Sequence, residues 1–266
     1  MYTQLDIESH FEGKLKIAYL NQPDTMNALT KPSLSDLKDF VKECNEDPTV
    51  RCVAISGRGR AFCSGQNLDD AFVTGKEHHD HDIIRKIVTD YYNPLVLEIT
   101  RCRKPVVALV NGPAVGAGAM LALISDFVLA NDKAYFAQAF SNIGLIPDTG
   151  GTYFLPRLMG RQLANYLAFT GKKLSAEESK AYGLVAEVFP EEEFNSKSME
   201  ILEKMANMPT AAIKLTKKAF ANSYNNTLKE QLDLEADLQQ EAAATEDFIE
   251  GVNAFLQKRK PEYKGK

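Results

Sequence analysis

VVALVNGPAVGAGAMLALISDFVLA, residues 106–130, passes through three patterns in one short span. Val106–Val110 is an apolar, strand-like run. Asn111-Gly112-Pro113 breaks it. Residues 116–125, GAGAMLALIS, are small and apolar, which suits a helix pressed closely against its neighbours. Phe127–Ala130 is strand-like again. Strand, helix and strand in succession argue for an α/β layer structure.

The same alternation extends on both sides. Upstream, Leu5–Ile7 and Leu15–Leu20 are strand-like, with Glu12-Gly13-Lys14 as the turn between them. Leu34, Leu37, Phe40, Val41 and Cys44 recur at helical spacing, and Thr30 and Pro32 are start signals for that helix. Arg51–Ser56 is a short β-rich run, and a long polar helix is expected over Asp82–Cys102. Downstream, Tyr135–Ala137 is strand-like. From Phe194 onward only helical patterns appear. One passes through Ile201, Met205 and Met208, one through Ala212, Leu215 and Ala219, and one through Leu228, Leu232 and Leu238, with Pro209 between the first two. The expected organisation is a strand-rich core over 1–193 and a helical region over 194–266.

Composition narrows the class of function. The chain has 266 residues, 44% hydrophobic and 25% charged, which is ordinary for a soluble globular enzyme. A net charge of −5 carries no broad basic footprint for nucleic acid. No apolar run approaches the ~20 residues that cross a bilayer. The opening MYTQLDIESHFEG has acids and no apolar centre, so it does not read as a signal peptide. Cys44, Cys52, Cys63 and Cys102 show no metal-ligand spacing, and a reduced cytoplasmic compartment is the expected location.

Two loops rich in small residues follow expected strands: AFCSGQNLD, 61–69, and NGPAVGAGAM, 111–120. Helix N-termini leave backbone N–H groups without partners. Two such loops can direct two donors at one oxygen, the requirement of an oxyanion hole. Each loop alone is equally a tight turn that allows close packing. The spacing GAG is not GxGxxG, and no acid is placed for a ribose, so a dinucleotide site is not read here. A third stretch, GLIPDTGG at 144–151, sets a lone carboxylate, Asp148, in an apolar run. It reads as a turn residue capping a helix over the following residues, or as a general base.

AFCSGQNLD, NGPAVGAGAMLALISD and GLIPDTGGTYFLPRLMG, in this order and spacing, resemble the signature segments of the crotonase superfamily, the enoyl-CoA hydratase/isomerase family. FTGKKLSAEESKAYGLVAEV, 169–188, is similar to a further family segment. The likeness covers nearly the whole chain. It implies a spiral of ββα units followed by C-terminal helices that build a homotrimer or a dimer of trimers. It also implies an acyl-CoA thioester as substrate, with no cofactor beyond the coenzyme A that the substrate carries. By position, the oxyanion donors are the amides of Gln66 and Ala117, and Ala61, Ser64, Gly65 and Gly116 complete the substrate-binding loops.

The departures from the family pattern are as informative as the match. The two glutamates that family hydratases use to activate water fall at Met120 and Phe140, and neither side chain transfers a proton. In isomerase branches, the acid at the position of Asp148 is the base. One such branch shifts the double bond of 3-enoyl-CoA, and another converts ring-epoxidised phenylacetyl-CoA to its oxepin form. Segments 139–161 and 225–240 and the ending GVNAFLQKRKPEYKGK resemble the second branch. The expectation is an acyl-CoA isomerase. A broad-specificity hydratase and a non-catalytic scaffold of the same fold are the alternatives.

Other residues carry two readings each. Cys63 lies in the first loop and reads as packing. His78, His79 and His81 sit in KEHHDHD, where neither spacing nor resemblance supports a metal site. Tyr91, Tyr92, Leu95 and Leu97 are candidates to wall the acyl pocket or to pack a helix core. Lys258 and Lys260 either meet coenzyme A phosphates across a subunit boundary or form a solvated basic end.

Overall fold

The structure, a computed structural model, describes residues 2–68 and 81–266. It opens on β1 (Leu5–His10) and β2 (Leu15–Leu20), an antiparallel pair with Leu5 opposite Leu20 and His10 opposite Leu15. Helix α1 (Lys31–Glu46) follows. Thr30 caps it as expected: its hydroxyl accepts from the Ser33 amide, and the Thr30 amide donates to the Ser33 hydroxyl. Pro32 stands in the first turn, where a missing N–H leaves no bond unmade. β3 (Cys52–Gly57) and β4 (Val106–Val110) then add parallel to β2 in that order.

Between β3 and β4 the expected single helix is three pieces. α2 (His81–Ile87) runs into a π-helical turn at Val88–Tyr92, and α3 (Asn93–Arg101) continues from it. Pro94, at the start of α3, has no N–H to give to the turn before it. The ladder widens there, and the Asn93 amide donates to the Val88 carbonyl. The widened turn accompanies an inward Tyr92 side chain, 2% exposed.

The quoted stretch folds largely as read. β4 leads through β5 (Ala114–Val115) into α4 (Ala117–Leu123), whose seven residues are all buried, and then into β6 (Phe127–Asn131). β7 (Tyr135–Ala137), α5 (Gly151–Met159), α6 (Arg161–Thr170), β8 (Lys173–Ser175), α7 (Ala176–Ala181) and β9 (Glu187–Phe189) follow. The main sheet has the order β1-β2-β3-β4-β6-β9, and all its pairings after the first are parallel. β5, β7 and β8 form a second, smaller sheet.

Both faces of the main sheet are covered at its centre, which is why β3 and β4 read as continuous buried runs. Val53, Ile55, Val106, Ala108 and Val128 join the core shared with α1, α3 and α4. Their alternates Cys52, Ala54, Val107, Leu109 and Leu129 meet Phe194, Leu202 and Ala206 of α8 (Glu191–Ala206). After α8 come α9 (Thr210–Ser223), α10 (Leu228–Ala243) and α11 (Glu246–Leu256).

The tail sequence shows three helical patterns, and four helices are present. The sequence hides α11 because Gly251, a weak helix former, lies inside it. The chain's end explains the glycine. A Cβ there would come within 3.1 Å of the Tyr263 hydroxyl, so Gly251 makes room for the returning terminus. Arg51 donates to the carbonyls of Tyr263 and Met208, and Asp247 accepts from the amides of Lys264 and Gly265, which hold that terminus in place. No helix among the described residues is long and apolar enough to cross a membrane.

Candidate active site

The two small-residue loops lie side by side. The Val115 amide donates to the Cys63 carbonyl at 2.9 Å, and the amides of Phe62 and Cys63 both reach the Pro113 carbonyl at 3.1 Å. Two glycines permit this approach. A Cβ on Gly118 would sit 2.4 Å from the Cys63 carbonyl oxygen, and one on Gly65 would sit 2.8 Å from that of Val115. Gly65 also holds φ at +92°, which a side chain disfavours.

This stitching sets the direction of two amides. The Leu29 amide donates to the Gly65 carbonyl at 2.7 Å, and the Asn67 amide donates to the Leu29 carbonyl at 2.9 Å. In such a bridge the residue between them, Gln66, turns its own N–H away from Leu29. Ala117 opens α4, so its N–H has no carbonyl one turn back to bond. Gln66 and Ala117 line the same cavity, of about 210 Å³.

Asp148 lines that cavity as well, and among its described lining residues it is the one carboxylate. Around it the wall is apolar, with Ile84, Ile87, Val88, Phe140 and Leu145. Burial raises the Asp148 carboxyl above its usual range, and a hydrogen bond from the Thr149 hydroxyl, at 2.8 Å, works against that rise. The expected helix cap is not made by this side chain. α5 starts at Gly151 with Gly150 in the cap position, and Asp148 contributes its backbone carbonyl, which accepts from the Gly151 amide at 2.7 Å. Two N–H groups without a partner among the described residues and one carboxylate, beside an apolar space, can stabilise an oxyanion and transfer a proton.

The remaining sequence candidates divide. Ser64, Gly65 and Gly116 line the cavity. Ala61 is fully buried with its carbonyl bonded to the Asn27 amide group at 2.8 Å, and it is not among the lining residues. Lys258 and Lys260 lie past the end of α11 and are not among the lining residues. Of the four proposed wall residues, Tyr92 lines the cavity, Leu95 is core, Leu97 is exposed and Tyr91 packs against the core. Phe140 is in the wall, whereas Met120 is fully buried, with the Gln138 amide group 3.5 Å from its sulfur. All four cysteines are buried and free, and burial pushes the Cys63 thiol up to about 12. His78 and His79 lie outside the described residues, and His81 is the first residue of α2.

Sequence reading missed one polar contact. The Tyr92 hydroxyl donates to the Gln66 side-chain carbonyl at 2.7 Å, which ties the π-helical turn to the first loop. Nothing in the local pattern of either residue signals a bond across that separation.

The chain matches the family described as enoyl-CoA hydratase/isomerase over residues 12–266. It is 41% identical to the 1,2-epoxyphenylacetyl-CoA isomerase of Escherichia coli, over 98% of each chain. It is 40% identical to a protein of Rhodobacter capsulatus named a probable enoyl-CoA hydratase, over 95% of each. The crystal structure of the enoyl-CoA hydratase from Bacillus anthracis superimposes with a TM-score of 0.92 at 31% identity, covering 99% of this chain and 100% of that one.

Proposed function

Because this chain belongs to the enoyl-CoA hydratase/isomerase family and has its fold, we propose that within that general activity it is an isomerase. In this reading one carboxylate, Asp148, moves a proton on an acyl-CoA thioester. The observation that carries the reading is one carboxylate, the only one among the described lining residues, in an apolar cavity that also holds Gln66 and Ala117. Asp148 takes a proton from the carbon beside the thioester carbonyl. The electron pair of that C–H bond moves into the carbonyl, and the amides of Gln66 and Ala117 bind the resulting enolate oxygen. Each such donor is worth ~2.7–4 kcal/mol in the transition state. Asp148 then returns the proton two carbons further along, converting 3-enoyl-CoA to 2-enoyl-CoA. One proton leaves and one returns, so the step calls on no cofactor beyond the coenzyme A of the substrate.

The substrates proposed are 1,2-epoxyphenylacetyl-CoA, 3-enoyl-CoA or both, in phenylacetate or fatty-acid metabolism. Identity to the Escherichia coli isomerase supports the first, and the apolar wall suits either acyl group. Against efficient hydration stand Met120 and Phe140, which offer no group to activate water. Incubation with a 3-enoyl-CoA, a 2-enoyl-CoA and epoxidised phenylacetyl-CoA, with products read by mass and absorbance, tests the reading. Isomerised product from the first or third is expected, with crotonyl-CoA hydrated far more slowly. Comparable kcat/KM for hydration and isomerisation refutes it.

The working unit proposed is a homotrimer or a dimer of trimers. Phe220, Leu228, Phe255 and Leu256 are each at least 68% exposed in the single chain, an arrangement that suits burial between copies. Lys258, outside its own chain's cavity, then reaches coenzyme A phosphates at a neighbouring copy's site.

A further inference from the structure

We infer that Thr149 is a positioning residue for Asp148: its buried hydroxyl holds one carboxylate oxygen so that the other faces the reacting carbon. This rests on the reading of Asp148 as the base.

The backbone supplies the first argument. Thr149 has φ +51°, in the left-handed region. A β-branched residue is strained there, and glycine or asparagine is the usual occupant. The next residue, Gly150, also has positive φ, at +79°, and is glycine. Strain of this kind persists where the surroundings fix it, and it gathers at functional sites.

Burial supplies the second argument. Thr149 is 2% exposed, so its side chain is not there to meet solvent. Its hydroxyl donates to Asp148 Oδ1 at 2.8 Å. In this turn the hydroxyl of one residue meets the carboxylate of the residue before it. The strained turn therefore brings together a carboxylate and the donor that orients it.

The surroundings supply the third. Residues 139–147 and helix α4 contain no ionisable side chain. Tyr92 faces Asp148 from the π-helical turn, and its hydroxyl is committed to Gln66. Arg157, further along α5, stacks on Tyr153, 3.7 Å from the ring centroid, and bonds its carbonyl. The Thr149 hydroxyl is the side-chain group bonded to the carboxylate, and the Asp148 backbone amide is its second donor. A hydrogen bond to the ionised form favours that form, so the same contact keeps the base ready at lower pH.

The experiment compares Thr149→Val, Thr149→Ser and Asp148→Asn with the wild type. Four quantities are measured: kcat, KM, the pH dependence of kcat/KM for 3-enoyl-CoA, and the carboxyl ¹³C titration of Asp148, assigned by its loss in Asp148→Asn. Val keeps the branched shape and the backbone strain but removes the donor. Its kcat is expected to fall about ten- to a hundredfold, the size of one hydrogen bond to a charged group. The acidic limb of its rate profile and its carboxyl titration should both move to higher pH, with KM nearly unchanged. Ser should restore all of these. Thr149→Gly suits the left-handed backbone and should lose rate as Val does, which keeps the test decisive if the Val chain does not fold. A Val or Gly variant with wild-type kcat and titration, beside an inactive Asp148→Asn, overturns the role of Thr149 and leaves the base in place. A fully active Asp148→Asn overturns the base itself. The carboxyl titration then decides alone whether Thr149 holds that carboxylate, and an unmoved midpoint in Val refutes it.

Discussion

Exchanging the Asp148 carboxylate for an amide separates chemistry from folding. Asn keeps the shape and still accepts from the Thr149 hydroxyl, so the turn should survive. Proton transfer should fail, with kcat lower by roughly 10²–10⁴-fold. Stability should change in the opposite sense. The folded carboxyl is raised above its reference value of 3.8 by burial. A raised group contributes stability that is full below the unfolded value and is lost as pH rises through the folded one. At neutral pH the wild type therefore carries a burden that Asn lacks. Asp148→Asn should melt at or above the wild-type temperature at pH 7, and the gap should close as the pH falls toward 3.8. A variant that melts lower at pH 7, with unchanged kcat, would make Asp148 a structural turn residue. Tyr92→Phe tests the missed contact. Losing one hydrogen bond to the Gln66 side chain should lower kcat/KM about three- to tenfold. Crotonyl-CoA analogue affinity and melting temperature should change little, and an unchanged kcat/KM counts against Tyr92 steadying the loop. Asp148 is legible in the sequence because a charge inside GLIPDTGG stands out against its neighbours. The bond from Tyr92 to Gln66 is not, because it depends on how two distant segments meet.

Gly118 shows how tightly the elements are set against one another. In Gly118→Ala the new methyl would meet the Cys63 carbonyl at 2.4 Å, a backbone atom that cannot rotate away. The loop or helix α4 has to move, so a loss of ~1–3 kcal/mol is expected. Ala117 sits beside this residue, so activity should fall with stability, as thermal melts and steady-state rates on one preparation would record. Near wild-type values for both would mean that α4 is not fixed by this approach. Strands β2, β4 and β7 are legible at their observed bounds, β4 most plainly because a parallel strand buried on both faces leaves an unbroken apolar run. The break in the helix over Asp82–Cys102 is not legible. Pro94 is visible, but the π-helical turn depends on Tyr92 entering the core. α11 escapes because its interior glycine serves a terminus that returns from beyond it, and helical periodicity does not register such a partner.

For the whole molecule, the apolar residues left uncovered set the expectation. Phe248, Val252, Phe255 and Leu256 border one groove with Pro209 and Ala212, so apolar surface gathers where α9 and α11 meet. Light scattering should give a mass of three or six chains, and Phe255→Glu should lower it while leaving the far-ultraviolet dichroism unchanged. A wild-type monomer at micromolar concentration would refute the assembly. The sequence announces this surface only as helical stripes, since the same spacing serves an internal core and an interface. The main sheet has a further consequence. Its strand order, β1-β2-β3-β4-β6-β9, rises steadily along the chain. Each strand after β2 joins at the same growing edge, and none has to wedge itself between neighbours already paired. A ribosome therefore delivers the strands in the order in which the sheet can accept them, and at each stage a nascent chain has one edge that awaits the next strand. The last of these edges, on β6, stays open until Glu187–Phe189 emerges to close it.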